Sequence, residues 1–289
     1  MRKYWCIMAF DLKRTVVVFD LDDTLYPEAD YVASGLSYVC EQIQTLYGKN
    51  VYGDVKIALT QDAKVDWLGL ACEIAKLPGT AKESFIWMYR LHLPDIALSD
   101  PCQQALKAIR AACGGVAVLT DGRSVTQRLK LKSLGLLDWP AYISEDYGST
   151  KPSPERFLAI QADFSAEHYV YVADNVQKDF IGCRPLGWIG IGMLGNERNV
   201  HSQRLQGIPT TALPAHWVSS WQELTELLGC TPQSEDCAKG ESQHFRGLGA
   251  DDVPMPPEPV LGMGAVVTKD VPPGVTVVGN PARPLVKSS

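Results

Sequence analysis

The chain has 289 residues, 46% of them apolar and 21% charged, and a formal net charge of −6. That length accommodates one ample core, or two domains and a tail, and the composition is that of an ordinary soluble globular protein. The acidic balance, with no basic run interleaved with aromatics, excludes a nucleic-acid footprint, and no apolar stretch approaches the roughly 20 residues of a membrane helix.

Arg2 and Lys3 open the chain, but Asp11, Lys13 and Arg14 interrupt its apolar run too early for a signal peptide. The eight cysteines, at positions 6, 40, 72, 102, 113, 183, 230 and 237, are scattered with no Cys-x-x-Cys pair. They read as reduced, mostly buried thiols of a cytoplasmic protein. Val16-Val17-Val18-Phe19, within a strand expected over Thr15–Asp22, leads into three carboxylates, Asp20, Asp22 and Asp23. A period-two strand brings Asp20 and Asp22 out together only as it leaves the sheet. Three clustered anions repel one another, and a divalent cation relieves that repulsion; an acidic turn is the competing reading.

From Glu28 to about Ala97 the pattern is helical. Val32, Leu36, Val39, Ile43 and Leu46 fall on one face of an amphipathic helix that Gly48 stops. A second helical stretch runs from about Val55 to Leu77, ahead of Pro78-Gly79, and a third from Lys82 to Leu91. Asp100-Pro101 then starts a helix, with a capping carboxylate and a first-turn proline. Val116–Leu119 is a second buried strand, emerging at Thr120-Asp121-Gly122-Arg123. Ser124–Leu134 is helical, Ala141–Ser144 a short strand, and Glu155–Gln161 a helix behind Lys151-Pro152-Ser153-Pro154. Tyr169–Ala173 is a strand ending at Asp174-Asn175. A helix over Lys178–Leu186, a strand over Trp188–Met193 and a helix over Trp221–Leu228 complete the series.

This alternation predicts an α/β fold with a doubly wound parallel sheet, whose ligand lies at the carboxyl ends of the strands. Asp20, Asp22, Thr120 and Asp174 all stand at those ends.

Asp20-x-Asp22-x-Thr24, Thr120, Lys151 and Asp174…Asp179 resemble, in order, the four motifs of the haloacid dehalogenase (HAD) superfamily of phosphotransferases. The resemblance implies a Rossmann-like core, a nucleophilic aspartate, an aspartyl-phosphate intermediate and a Mg²⁺ cofactor. Asp20 matches the nucleophile. Asp22 matches the general acid/base, its main-chain carbonyl a metal ligand. Having an aspartate at that position favours phosphoryl transfer over dehalogenation. Thr24 matches a loop-bracing hydroxyl, and Asp23 matches no role. Thr120 matches the hydroxyl that donates to the phosphate, helped by N–H groups of the following turn, with Asp121, Gly122 and Arg123 bordering the substrate pocket. Lys151 matches the lysine that neutralises nucleophile and phosphoryl oxygens. Asp174 matches a direct metal ligand, and Asp179, four intervening residues on, a second ligand or a partner of Lys151. The helical insertion resembles a C1 cap, for which Tyr31, Trp87, Tyr89, Arg90 and His92 are visible substrate-contacting candidates.

The domains read as a core of residues 1–27 and 98–229, a helical cap of 28–97, a linker of 230–259 and a tail of 260–289. Gly262–Gly274 and Gly279–Arg283 resemble the last coils of a left-handed β-helix (hexapeptide-repeat) sugar acyltransferase. One or two coils cannot form a trimeric active site, because solenoid coils bury their apolar edge only by stacking. That leaves self-association, docking on an acyltransferase, or a fusion fragment.

The resulting expectation is a cytoplasmic Mg²⁺-dependent phosphatase of a small phosphomonoester. A sugar phosphate of surface-polysaccharide or nonulosonic-acid synthesis is the first choice of substrate. A nucleoside 5′-monophosphatase, a phosphomutase and a non-catalytic scaffold are the alternatives.

Overall fold

The computed structural model describes residues 11–62, 64–195 and 208–231, together with the backbone of three short strands at 260–261, 276–278 and 283–284. The chain divides into two compact units, Met1–Ser234 and Glu235–Ser289.

The first unit is built on a six-stranded sheet of β1 (Thr15–Phe19), β2 (Gly115–Thr120), β3 (Ala141–Ile143), β4 (His168–Ala173), β5 (Ile189–Met193) and β6 (His216–Val218). All pairings are parallel, and the order is β3-β2-β1-β4-β5-β6. β1 is buried along its whole length. Its period-two alternation sends Val17 and Phe19 into one core and Val16 and Val18 into the other. That double burial requires cover on both faces, which is why β1 reads as an unbroken apolar run.

Four helices, the segment expected to form the cap, follow β1: α1 (Glu28–Tyr47), α2 (Tyr52–Gln61), α3 (Trp67–Ile74) and α4 (Ala81–Leu91). They enclose a core of their own around Leu36, Val39, Ile43, Val55, Leu68, Ala71 and Phe85. Two expectations need correction here. Leu46 is 57% exposed rather than core-facing, and α1 buries Tyr31, Gly35 and Cys40 instead. The stretch from Val55 to Leu77 is two helices, because Asp66 accepts from the Gly69 N–H and caps a fresh start for α3.

The chain re-enters the core through α5 (Asp100–Ala112). Its cap is Ser99, whose hydroxyl accepts from the Cys102 N–H, rather than Asp100. α6 (Ser124–Ser133), α7 (Ser144–Tyr147), α8 (Glu155–Asp163), α9 (Asp179–Cys183) and α10 (Trp221–Leu228) complete the unit. β6 and α7 were not anticipated; each is only a few residues long, too short for a periodic signal. Leu106 and Ile109 of α5 and Leu224, Leu227 and Leu228 of α10 share the core of Phe19, whereas Phe157 of α8 and Phe180 of α9 share that of Val18. Among the described residues no helix is long and apolar enough to cross a membrane.

In the second unit β7 (Val260–Leu261) pairs in parallel with β8 (Thr276–Val278), which pairs antiparallel with β9 (Arg283–Pro284). The expected hexapeptide coils and nearly all of the expected linker lie outside the described residues.

Candidate active site

β1 lies between β2 and β4, so the strand ends carrying Asp20, Thr120 and Asp174 are neighbours along one rim of the sheet. The Asp20 N–H donates to Val172 O, which carries the β1–β4 pairing one residue past the strand. Asp20, Asp174 and Asp179 each present a carboxylate oxygen within 4.8 Å of the others, and all three are buried. Lys151, between β3 and β4 in the chain, reaches the same point. Its Nζ lies 2.8 Å from Asp20 Oδ1 and 2.7 Å from Asp179 Oδ1, and donates to the Tyr171 hydroxyl at 3.1 Å. Asp179 Oδ2 accepts from the Asn175 N–H at 2.9 Å, and the Thr24 hydroxyl donates to Asp174 Oδ1 at 3.3 Å. Asp20, Lys151, Asp174 and Asp179 thus meet at one point, and Thr24 ties its loop to the end of β4.

Burial, outweighing the opposing charge of Lys151 and reinforced by Asp179, pushes Asp20 up to about 6. Burial and then repulsion from Asp20 and Asp179 push Asp174 up to about 8. Lys151 is held well above the ordinary lysine value: burial works against its charge, but Asp179 and Asp20 win. Carboxylates too crowded to ionise freely, offering only hard oxygen donors, suit a divalent cation such as Mg²⁺ better than a soft metal. Asp20, Asp174 and Asp179 fit that group; the Asp22 carboxylate lies outside the cluster and faces elsewhere.

Asp22 Oδ1 accepts from Lys130 Nζ at 2.8 Å and from the Tyr26 hydroxyl at 2.5 Å, and Oδ2 accepts from Gln127 Nε2 at 3.0 Å. Burial would raise Asp22, but the charge of Lys130 and these hydrogen bonds overcome it and hold the carboxyl below its usual range. Asp23, in the left-handed region at φ +57°, accepts from the Glu28 N–H at 2.8 Å and so anchors the first turn of α1. The third acid of the turn therefore serves the junction with the cap.

Thr120 is buried, and its hydroxyl accepts from Gln127 Nε2 at 2.8 Å. The Gly122 N–H is engaged by the Ser144 hydroxyl at 2.9 Å. Asp121 braces loops: it accepts from Arg156 Nη2 at 2.5 Å, from the Lys151 N–H at 3.1 Å and from Lys178 Nζ at 3.3 Å. Burial opposes its charge, but Lys151, Arg156 and Lys178 hold it below the usual carboxylate range. Arg123 is half-exposed, 3.4 Å from Glu145, with its guanidinium 5.4 Å from the centre of the Trp87 ring. Arg90 lies 5.3 Å from the same ring. His92 is packed among Tyr31, Tyr38 and Tyr89, with Nδ1 2.6 Å from Tyr89 O and Nε2 3.1 Å from the Ser34 hydroxyl. It braces the cap.

Gln127, Lys130 and Arg156 escaped sequence reasoning. The signal existed for the first two: with Leu131 and Leu134 they form an i, i+3, i+4, i+7 stripe, where a polar residue in a core position is the informative observation. Arg156, 1% exposed, donates to Thr120 O at 2.7 Å from an otherwise ordinary helix.

The family model of the haloacid dehalogenase-like hydrolases matches residues 15–187. Among curated proteins, the ribulose-1,5-bisphosphate 5-phosphatase of Halopiger xanaduensis is 24% identical over 74% of this chain and 99% of its own. The glyceraldehyde 3-phosphate phosphatase of Methanocaldococcus jannaschii is 27% identical over 73% of this chain and 96% of its own. Among solved structures, a Thermotoga maritima protein assigned as a β-phosphoglucomutase superposes with a TM-score of 0.52 at 18% identity, covering 74% of this chain and 98% of its own. The HAD-hydrolase YfnB of Bacillus subtilis, solved bound to magnesium, gives 0.50 at 19% identity with the same coverage. These two likenesses carry the fold.

Proposed function

The chain belongs to the haloacid dehalogenase-like hydrolase family, and on that premise we propose that it is a Mg²⁺-dependent phosphatase of a small phosphomonoester, acting through an aspartyl phosphate on Asp20. The observation that carries this reading is the buried meeting of Asp20, Lys151, Asp174 and Asp179 at the end of the central strands. A scaffold has no use for three buried carboxylates held this close, since burial and mutual repulsion oppose the charges of Asp20 and Asp174.

Asp20 attacks phosphorus with one carboxylate oxygen, forming a P–O bond as the ester P–O bond breaks. Lys151 Nζ, already beside Asp20, balances the charge that nucleophile and phosphoryl group bring together. The Thr120 hydroxyl, oriented by Gln127, serves as a donor to the phosphoryl group. Asp22 gives a proton to the departing alkoxide. It then takes one from the water whose oxygen attacks phosphorus, and the bond to Asp20 breaks. Mg²⁺ bound by Asp20, Asp174 and Asp179, with the Asp22 carbonyl, would screen the approach of anionic nucleophile to anionic phosphate. The cap helices exclude water from the pocket while attack occurs.

A phosphorylated sugar or triose is the substrate class that the two curated relatives support by their names. A surface-polysaccharide or nonulosonic-acid sugar phosphate rests on the resemblance of the tail alone. A phosphomutase uses the same four motifs, and stimulation by a sugar bisphosphate separates the two. Purified protein assayed with Mg²⁺ against sugar phosphates and nucleoside monophosphates, with Asp20→Asn alongside, tests the reading. We expect release of inorganic phosphate from a sugar phosphate by wild type only. No turnover of any phosphomonoester, or equal turnover by Asp20→Asn, overturns it.

A further inference from the structure

Asp22 has both carboxylate oxygens engaged, by donors from two directions. Tyr26 comes from its own loop, and Gln127 and Lys130 come from one face of α6, three residues apart and therefore neighbours on the helix surface. Gln127 and Lys130 are each less than 5% exposed. Burying a lysine ammonium is costly unless it is paired, and a surface lysine of α6 would simply extend into water. Among the described residues this ammonium contacts two groups, with the charge of Glu28 close by. One is Asp22 Oδ1 at 2.8 Å; the other is the face of the Tyr31 ring, whose centre lies 4.1 Å from Nζ. Such a contact with a desolvated ammonium contributes attraction of its own. Tyr31 belongs to the cap: it is buried on α1, its ring meets Tyr89 of α4 edge-on at 5.3 Å, and its hydroxyl donates to Tyr89 O at 3.3 Å. Gln127 does the equivalent on the core side, since one amide nitrogen reaches Asp22, the Thr120 hydroxyl and Asp121 O.

We infer that Lys130 is a positioning residue for Asp22: it holds that carboxylate in one orientation for its proton transfers, and the cap, through the Tyr31 ring, holds Lys130. The inference rests on the proposed phosphatase reading. Proton transfer demands hydrogen-bond reach to a defined atom. A short aspartate on a turn, without the α6 donors, has alternative rotamers that lose that reach. Among the described residues Lys130 pairs with Asp22 and with none of Asp20, Asp174 and Asp179, so its effect passes through Asp22.

The step that reads this is hydrolysis of the aspartyl phosphate, in which Asp22 takes a proton from water. p-Nitrophenyl phosphate isolates it, because its leaving group departs as a stable phenolate and needs no proton from Asp22. The holoenzyme with Mg²⁺ is mixed rapidly with this probe, p-nitrophenol release is followed, and phosphoenzyme is quantified by acid quench and mass spectrometry. For Lys130→Met we expect formation of the phosphoenzyme at close to the wild-type rate, then hydrolysis slower by about 100-fold, the scale of a general base. The result is a burst and an accumulated phosphoenzyme, with kcat and KM for the probe falling together and kcat/KM little changed. Lys130→Arg, which keeps a cation on the same stem, restores most of the hydrolysis rate. Tyr31→Leu, a substitution in the cap, shows the same burst in weaker form while Tyr31→Phe does not, and this pair stands in should Lys130→Met fail to fold. Equal losses in both steps, or no burst in Lys130→Met and in Tyr31→Leu, overturn the inference while the wild type still forms phosphoenzyme. A wild type that forms none overturns the phosphatase reading and this inference with it.

Discussion

Lys151 and Asp179 form a buried ion pair of 2.7 Å, with side chains 1% and 0% exposed. The same ammonium holds Asp20 at 2.8 Å, so two carboxylates depend on one cation. Lys151→Met removes that cation and leaves both carboxylates facing each other out of water. A loss of about 3–5 kcal/mol in unfolding free energy is expected in chelator, the usual consequence of stripping one partner from a buried pair. Urea unfolding of the metal-free variant checks this, and an unchanged midpoint contradicts it.

Removing metal should also make stability depend on pH in a definite direction. Asp20 and Asp174 have folded-state values of about 6 and about 8, above the ordinary 3.8. An acid raised on folding binds more protons in the native state, so stability falls as pH rises from the unfolded value through the folded one. In EDTA, the thermal midpoint should drop steadily between about pH 4 and pH 8. With Mg²⁺ saturating, that slope should flatten, and binding near neutral pH should release protons, seen as buffer-dependent heats in calorimetry. A flat profile in EDTA contradicts the expectation.

Gly182 lies on α9 one turn after Asp179, and a Cβ there would collide with the Pro152 carbonyl and approach the Phe157 ring to 3.2 Å. The carbonyl is backbone, directly after Lys151, and cannot rotate away. Gly182→Ala should therefore cost about 1–3 kcal/mol and displace Lys151. The check is a lowered melting midpoint together with a fall in kcat; wild-type values for both would show that the loop yields freely.

Burial pushes the Cys102 and Cys183 thiols up to about 12, and each Sγ donates to a backbone carbonyl, of Leu25 and Phe180 respectively. Since only the thiolate reacts, iodoacetamide at pH 8 should leave both unmodified in the native chain and label both in urea. Peptide mapping by mass spectrometry reads the difference.

Strands β1 to β5 and the polar residues at the ends of β1, β2 and β4 were legible because each depends on a local pattern: a doubly buried strand is a run of β-branched residues, and its polar exit is abrupt. Val16–Asp20 states both in five letters. Between Glu28 and Leu91 the helical character was legible, but not the break that separates α2 from α3 nor the facing of α1. The spacing that put Leu46 in the core assumed a perfectly regular stripe, whereas α1 buries Gly35 and Tyr31, where Tyr89 and His92 close over the helix. Asp100 looked like a cap because Pro101 follows it, but the cap is the residue still in extended geometry, Ser99. Asp121 read as a pocket residue from its position beside Thr120; only the fold reveals that Arg156, from α8, and Lys178 take both its oxygens. Lys130 was hidden among Arg128, Lys130 and Lys132, three cations on one helix that differ in which side of it they occupy.

The anchoring of α1 by Asp23 bears on how this chain could be re-engineered. The chain leaves the core after Pro27, beside an acid that fixes the departing turn, and returns at Ile96 and Leu98, which belong to the core of Phe19. Neither Asp20, Lys151, Asp174 nor Asp179 lies between those two points. A foreign helical lid could be spliced in there as a cassette, retaining the chemistry while replacing what it admits. The graft would need to supply one thing in return: an aromatic face where Tyr31 now meets Lys130.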